Sequence, residues 1–192
     1  MLFVISGKAR VGKDTFGVIL KDALEGTYTI MAYADELKKK CMEDFDLSLE
    51  QLYGNFKEVP DKRYRKGPYF ADEKEYWTPR EILQFMGTDC YRKIDNNFWV
   101  KSLIKRIKKD NLTNVIITDA RFPNEIDIVK DLGAFHIRVL RDDTEEIHGK
   151  EHASETSLND CTNIDFTVYN NKSIPDLYLE AKRIIDSITF LK

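Results

Sequence analysis

Five short apolar runs along the chain have the composition of buried strands. The run at residues 115–118 is β-branched throughout, as expected of a strand that is covered on both faces. Segments with helical spacing separate these runs, as in residues 15–24, where Phe16, Ile19 and Leu20 share one side. Strands that alternate with helices predict an α/β fold with a mainly parallel sheet, which binds ligands at the carboxyl ends of its strands. The predicted strands are residues 2–6, 28–33, 115–118, 135–140 and 166–169.

The segment between the second and third predicted strands contains both helical and irregular stretches. Helices are predicted at residues 35–44 and 97–109, and the charged stretch 54–76 has the composition of a mobile surface loop. Thr78-Pro79-Arg80-Glu81 predicts a sharp helix start, because threonine caps, proline fits the first helical position and Glu81 completes a capping box. Two further helices are predicted at residues 124–132 and 174–188, and residues 141–163 are polar without clear periodicity.

Composition and charge narrow the classes of protein that fit. The chain has 192 residues, of which 42% are hydrophobic and 33% charged, and its net charge is −3. These values are typical of one soluble globular domain, and the lack of a basic field argues against nucleic acid as a partner. No apolar run reaches the roughly 20 residues of a membrane span. Cys41, Cys90 and Cys161 lie far apart, which favours free thiols and predicts a cytoplasmic location.

A phosphate-binding motif follows the first predicted strand directly. Residues 7–13, GKARVGK, have the form G-x-x-x-x-G-K between a strand and a helix, which is the context that a P-loop requires. The backbone N–H groups of such a loop point at an anion, and Lys13 is placed to reach the β- and γ-phosphates. The predicted ATP-binding residues are Gly7, Ala9, Arg10, Val11, Gly12, Lys13, Asp14 and Thr15.

Asp14 stands where P-loops usually carry the serine or threonine that binds magnesium. A carboxylate is also a hard-oxygen ligand for Mg²⁺, directly or through water. The alternative roles are contact with the protonated oxygen of the attacking phosphate, contact with a cationic neighbour, or stabilisation of the helix N-terminus alone. Whether Asp14 or Thr15 contacts the metal stays open at this stage.

A second carboxylate follows the apolar run at residues 115–118. Asp119 ends this run and gives it the form of a Walker B strand, whose aspartate orients Mg²⁺ near the phosphates. The predicted metal ligands are therefore Asp14 and Asp119. Arg121, two residues later, is placed to neutralise charge on the transferred group, and Glu125 follows on the next predicted helix.

Five segments of the chain together resemble one family. GKARVGKDT, WTPREILQFMGTD, NNFWV, TDARFPNE and HASE occur in this order over nearly the whole chain, as in the bacteriophage-type deoxynucleoside monophosphate kinases. The resemblance implies a three-layer P-loop NTPase sandwich with a five-stranded parallel sheet. It places a helical acceptor-binding insertion at about residues 35–110 and a short lid at about residues 141–157, within a single domain of residues 1–192.

The same resemblance implies substrates and residue roles. ATP with Mg²⁺ is the expected donor and a deoxynucleoside 5′-monophosphate the expected acceptor, in the host cytoplasm if the source is a phage. A homodimer is compatible with it. The implied catalytic residues are Lys13, Asp14, Asp119, Arg121 and Glu125. The implied acceptor-binding residues are Arg80, Thr88, Arg92, Trp99, Asp119, Arg121 and Glu125. Arg141 and His152 are the expected lid residues. The segment Asn170-Asn171-Lys172, with Asn171 as its predicted ATP-binding residue, either contacts the adenine of ATP or is an ordinary turn.

Two other functions fit parts of the pattern. A P-loop kinase for another small phosphorylated acceptor, such as phosphomevalonate, also uses a GKD loop. A nucleotide-binding regulator would bind ATP without transferring phosphate. The arginines expected on the acceptor side, Arg80, Arg92 and Arg121, favour a kinase over a regulator because two polyanions must approach each other during transfer.

Overall fold

A single sheet organises the part of the chain that the computed structural model describes, residues 1–67, 75–142, 157–158 and 161–190. Its five strands run in the order β2-β3-β1-β4-β5, and every neighbouring pair is parallel. The strands are β1 (Leu2–Ser6), β2 (Thr29–Met31), β3 (Val115–Ala120), β4 (Ala134–Leu140) and β5 (Phe166–Tyr169). The predicted five-stranded parallel sheet is confirmed.

Seven α-helices lie within the described residues, together with one 3₁₀ helix, Asn55–Glu58, and one π-helix, Phe85–Arg92. None of the helices in this part of the chain is long and apolar enough to cross a membrane. The α-helices are α1 (Lys13–Ala23), α2 (Tyr33–Phe45), α3 (Leu49–Tyr53), α4 (Pro79–Gln84), α5 (Phe98–Lys109), α6 (Pro123–Asp131) and α7 (Ile174–Phe190).

One face of the sheet carries the main hydrophobic core. Alternate residues of the strands, among them Phe3, Ile5 and Ile137, pack against α1 and α7 in a continuous buried cluster. Side chains alternate between the faces of a strand, so the pattern of every second residue buries one face against these two helices. Helix α6 packs against β1 and β4. The result is the three-layer α/β sandwich of the P-loop kinases.

The register of the sheet brings two functional segments to one edge. Strands β1 and β3 are neighbours, and Ser6 lies level with Ala120. The P-loop begins at the residue after Ser6, and Asp119 immediately precedes Ala120. Because the carboxyl ends of parallel strands meet at one edge, the P-loop and Asp119 lie at the same edge of the sheet.

Residue contacts divide the chain into two compact units. One consists of Met1–Tyr33 and Leu103–Lys192 and contains the whole sheet, and the other is Ala34–Ser102. The second unit is helical and has a small core of its own, formed by Cys41, Leu47, Leu52, Ile82 and Leu83. The single-domain organisation, with its insertion at about residues 35–110 and its lid, stays a prediction.

The stretch predicted as an irregular loop, residues 54–76, contains more regular structure than expected over its described part. Besides the 3₁₀ helix, it has an antiparallel bridge between Arg65 and Tyr76. The buried carboxylate of Asp61 explains part of this order, because it accepts hydrogen bonds from Arg63 and from Gln51 of α3. The loop prediction was therefore wrong for residues 55–58, which form the 3₁₀ helix, whereas residues 59–67 have no helix or strand apart from the bridge residue Arg65.

Candidate active site

Three residues with positive φ bend the backbone of the P-loop. The φ angle is +148° at Gly7, +62° at Arg10 and +93° at Gly12. Left-handed residues among right-handed ones produce concave loops whose N–H groups bind anions. A Cβ atom on residue 7 would lie 2.4 Å from the carbonyl oxygen of Val139, so both the dihedral angle and the neighbouring strand require glycine there.

Lys13 is the buried cation of this loop, with only 8% of its surface exposed. Its Nζ atom donates hydrogen bonds to the carbonyl oxygens of Gly7, at 2.9 Å, and of Lys8, at 2.7 Å. The ammonium group therefore lies against the first two residues of the loop rather than in bulk water. A desolvated cation at a concave backbone is the arrangement that P-loops use to hold phosphate.

Asn170, at the end of β5, supports the P-loop from the side. Its Nδ2 atom donates to the carbonyl oxygen of Val11 at 2.8 Å, and its backbone N–H donates to Leu140 at 2.7 Å. A Cβ atom on residue 12 would lie 2.4 Å from Nδ2, so Gly12 gives Asn170 the room to make this contact. Asn170 thus fixes the loop between β1 and α1.

The neighbouring Asn171 makes a different contact. Its Oδ1 atom accepts a hydrogen bond from the backbone N–H of Asp142 at 2.9 Å. Asn171 therefore stabilises the chain directly after β4, next to Arg141. Its assignment as an ATP contact stays a prediction.

Asp14 lies in the first turn of α1 and is exposed. Its Oδ1 atom accepts a hydrogen bond of 2.7 Å from the hydroxyl group of Thr118. Thr118 immediately precedes Asp119 in β3, so this bond ties the start of α1 to the end of the Walker B strand. The sequence had suggested a cationic neighbour as one alternative partner for Asp14. In the structure, Asp14 binds a neutral hydroxyl group.

A buried tyrosine holds Asp119. The backbone N–H of Tyr33 donates to Asp119 Oδ1 at 2.7 Å, and the Tyr33 hydroxyl donates to the carbonyl oxygen of Glu125 at 2.9 Å. Tyr33 is 4% exposed, and the bond of its hydroxyl to Glu125 is buried and therefore shielded from competing water. Tyr33 therefore connects the Walker B carboxylate to α6.

Glu125 is buried at the N-terminus of α6, with 3% of its surface exposed. Its Oε2 atom accepts hydrogen bonds from the backbone N–H groups of Arg121, at 2.7 Å, and Phe122, at 3.0 Å. A carboxylate in the first turn of a helix that accepts hydrogen bonds from the N–H groups of the N-cap residue and its predecessor stabilises that helix end. Glu125 thus holds the backbone at Arg121 in place. A direct role of Glu125 in catalysis stays a prediction.

The two aspartates fit a magnesium ion that is shared with a nucleotide. Among the described residues no group of three or more His, Cys, Asp or Glu side chains could hold a metal by itself. Mg²⁺ is commonly bound by one or two carboxylates together with substrate phosphates and water. Asp14 and Asp119 supply such hard oxygens at the edge of the sheet where the P-loop begins.

In the second unit, Arg80 lies in the first turn of α4, and its Nε atom donates to Glu58. The predicted capping box is confirmed: Thr78 caps Glu81 N–H, and the Glu81 carboxylate accepts from Thr78 N–H at 2.7 Å. Lys66 Nζ donates to the other oxygen of Glu81 at 3.0 Å. Burial alone would raise the pKa of Glu81, but these bonds from Thr78 and Lys66 lower it below its ordinary value. The start of α4, and with it Arg80, is therefore firmly anchored.

The π-helix, Phe85–Arg92, carries two of the predicted acceptor residues, Thr88 and Arg92. The sequence predicted a helix that starts at Thr78 and gave no sign of the wider i→i+5 turn, which is frequent at functional sites. Arg92 donates to the carbonyl oxygen of Asn96 at 3.1 Å. Trp99 is 4% exposed and donates its indole N–H to the carbonyl oxygen of Gly87 at 2.9 Å. Trp99 therefore braces the π-helix from α5, and its role in acceptor binding stays a prediction.

Most residues of the predicted lid lie outside the part of the chain that the structure describes. Arg141 is exposed directly after β4, whereas His152 falls outside the described residues. The structure brings Lys13, Asp14 and Asp119 to one edge of the sheet. It also reveals two supporting residues that the sequence did not suggest, Thr118 and Tyr33, and a contact of Asn170 with the P-loop that the sequence did not predict.

Comparison with known proteins adds the decisive observation. The family described as deoxynucleotide monophosphate kinase matches residues 61–181. The chain belongs to this family. It is 33% identical to a putative deoxynucleotide monophosphate kinase of Acanthamoeba polyphaga mimivirus, over 97% of both chains.

Two phage enzymes are similar over part of their length. The chain is 26% identical to the deoxynucleoside-5′-monophosphate kinase of Escherichia phage T5, over 57% of this chain and 44% of the phage enzyme. It is 28% identical to the deoxynucleotide monophosphate kinase of Escherichia phage RB69, over 57% and 45%. The predicted resemblance is confirmed, and the chain is an ATP-dependent nucleotide kinase of this family.

Proposed function

We propose that this kinase transfers the γ-phosphoryl group of ATP to a deoxynucleoside 5′-monophosphate and releases ADP and the deoxynucleoside diphosphate. The observation that carries the proposal is the P-loop with its buried Lys13, set beside Asp14 and Asp119 at the carboxyl edge of the sheet. Because the chain belongs to the deoxynucleotide monophosphate kinase family, a deoxynucleoside monophosphate is favoured over phosphomevalonate as the acceptor. Membership of this family also favours a kinase over a non-catalytic regulator.

On the donor side, the residues of the P-loop bind the phosphates of ATP. The concave backbone from Gly7 to Gly12 receives the β-phosphate, and Lys13 exchanges its carbonyl partners for phosphate oxygens. Asp14 and Asp119 would hold a magnesium ion directly or through water. The ion would supply positive charge that neutralises part of the charge of the β- and γ-phosphates.

On the acceptor side, arginines bind the monophosphate. A guanidinium group can donate two parallel hydrogen bonds to one phosphate and stays charged at all relevant pH values. Arg80, Arg92 and Arg121 take this role, with Arg121 closest in sequence to the Walker B carboxylate. Arg80 then exchanges Glu58 for the phosphate, which keeps its charge compensated in both states.

Two buried residues act through their neighbours. Glu125 positions Arg121 by holding its backbone N–H, and Trp99 positions the π-helix that carries Thr88 and Arg92. The reaction is a direct in-line displacement: the acceptor phosphate oxygen forms a bond to the γ-phosphorus while the bond to the β,γ-bridging oxygen of ATP breaks. The arrangement requires no covalent phosphoenzyme.

A coupled ADP-release assay tests the function. The purified protein is incubated with ATP, Mg²⁺ and each common deoxynucleoside or ribonucleoside monophosphate, with phosphomevalonate as the rival acceptor. We expect release to depend strictly on a deoxynucleoside monophosphate, and Lys13→Met to abolish it. Release with phosphomevalonate alone, or ADP binding without any acceptor-stimulated release, would overturn the proposed acceptor.

A further inference from the structure

Thr118 combines deep burial with a bond to the most unusual residue of the P-loop. It is 2% exposed, and its hydroxyl lies 2.7 Å from Asp14 Oδ1. A carboxylate has two oxygens and several orientations in the first turn of a helix. A hydrogen bond to one oxygen selects one orientation and leaves the charge of the group intact. A lysine or arginine at this place would instead compete with a metal ion for Asp14.

Gly17 shows that the fold makes room for Thr118. It lies inside α1, where glycine costs about 1 kcal/mol relative to alanine. A Cβ atom at residue 17 would lie 2.5 Å from Thr118 Cγ2 and 3.6 Å from Ile5 Cδ1. Both branches of Thr118 are therefore engaged: the methyl group fills the space above Gly17, and the hydroxyl group binds Asp14.

We propose that Thr118 is a positioning residue for magnesium: its hydroxyl orients Asp14 so that Oδ2 is presented to the ion or to a water molecule that it binds, and Gly17 provides the space that this requires. The proposal rests on the assignment of Asp14 as a metal ligand under the proposed function. In most P-loops a single serine or threonine binds the magnesium ion. Here the carboxylate of Asp14 and the hydroxyl group of Thr118 would share that function. Partners that orient metal ligands typically change metal affinity by about 10–100-fold when they are removed.

The test is a calorimetric titration of ADP binding at increasing Mg²⁺ concentrations, which reads out the metal without turnover. Thr118→Val keeps the shape of the side chain and removes the donor. We expect it to raise the Mg²⁺ concentration for half-maximal enhancement of ADP affinity by about tenfold. ADP affinity without Mg²⁺ should stay unchanged. Thr167→Val on β5 is the matched control and should leave the titration unchanged.

A double-variant series tests the space beside Gly17. Gly17→Ala should weaken the Mg²⁺ response, because its methyl group displaces Thr118. Thr118→Ser removes Cγ2 and keeps the hydroxyl, so the combination Gly17→Ala with Thr118→Ser should recover most of the wild-type response. No recovery, with all variants folded by thermal unfolding, contradicts the proposed geometry.

Asp14→Asn distinguishes a failure of the proposed metal site from a failure of the role proposed for Thr118. If this variant leaves the Mg²⁺ response unchanged, Asp14 is not a metal ligand and that part of the proposed function fails. If Asp14→Asn abolishes the response while Thr118→Val lowers only the melting temperature, Thr118 is merely structural and the present inference is overturned. A weakened response in both variants supports it.

Discussion

Replacement of Glu125 by glutamine tests whether this buried carboxylate positions Arg121. Glutamine has nearly the same size, so the change removes charge without opening a cavity. Glu125 accepts two backbone N–H groups, from Arg121 and Phe122. A hydrogen bond to a charged group contributes about 1.5–3 kcal/mol and a neutral one about 0.5–1.5 kcal/mol. The loss is about 1 kcal/mol per bond, hence roughly 2 kcal/mol in the free energy of unfolding.

The expected effects on stability and on turnover are separate. For a chain of this size, 1 kcal/mol corresponds to about 2–4 °C, so the melting temperature should fall by about 4–8 °C. Turnover should fall by about 10–100-fold, because small displacements of a group that contacts the reacting phosphate are costly. Thermal unfolding and the coupled ADP-release assay measure the two quantities. The control is Asp131→Asn at the exposed end of α6, which should change the free energy of unfolding by less than about 0.5 kcal/mol.

Two results would contradict the roles proposed for Glu125. An unchanged melting temperature in Glu125→Gln would show that the two hydrogen bonds do not stabilise the start of α6. A lowered melting temperature with full turnover would show that Glu125 stabilises the helix but does not position a working Arg121.

Three further predictions concern the P-loop, a buried histidine and a buried thiol. Gly7→Ala places a side chain at a residue with a φ of +148° and against Val139. Calorimetry should therefore show that ADP affinity falls by at least about tenfold. The control Gly26→Ala, at a φ of +93° and with no neighbour within 4 Å, should leave ADP affinity unchanged. Burial lowers the pKa of His136 below its ordinary value, so the neutral form is favoured in the folded state and stability should decline as the pH falls below about 6.5. Melting temperatures between pH 7.5 and 5.5 measure this, and His136→Gln should flatten the pH dependence. Burial raises the pKa of the Cys41 thiol to about 12, so at pH 8 a thiol reagent should label the half-buried Cys90 while Cys41 reacts only on unfolding, as read by peptide mass spectrometry.

Each of these predictions has an outcome that contradicts it. Equal losses of ADP affinity in Gly7→Ala and Gly26→Ala would mean that general destabilisation, and not the shape of the loop, explains the effect. A pH dependence that persists in His136→Gln would assign it to other groups. Equal labelling rates for Cys41 and Cys90 in the folded protein would contradict the burial of Cys41.

The sequence predicted those parts of the fold that local signals determine. The first four residues of β3 are all β-branched, and α4 begins with a capping box, so both elements carry strong local signals. Helix α3 was missed although Ser48 and Gln51 form a capping box at its start, because five residues show too little periodicity to indicate a helix. The π-helix was missed for a different reason. Its width depends on tertiary contacts, since Trp99 binds the carbonyl oxygen of Gly87 and a Cβ atom there would lie 2.9 Å from Leu37.

The same distinction explains the candidate site. The P-loop is a contiguous motif, so its glycines and Lys13 were predictable as a unit. Thr118 and Asp14 are 104 residues apart, and Asn170 and Val11 are 159 residues apart. Each of these contacts depends on which strands are neighbours in the sheet. Threonine in a strand is common in any protein, so its type alone gave no signal. The segment Asn170-Asn171-Lys172 suggested an ATP contact or a turn, and neither interpretation predicts a bond from Asn170 to the P-loop.

The π-helix also bears on how the length of this segment can change. An α-helix advances about 100° per residue, so the loss of one residue from an ordinary helix rotates everything beyond it and disrupts its packing. A π-helix already holds an additional residue in its turn. Deletion of the exposed Asp89 would convert the segment toward an α-helix and leave it continuous, while it changes the angle between Thr88 and Arg92. Insertion or deletion of a single residue in this segment can thus change the directions in which Thr88 and Arg92 point without changing either side chain.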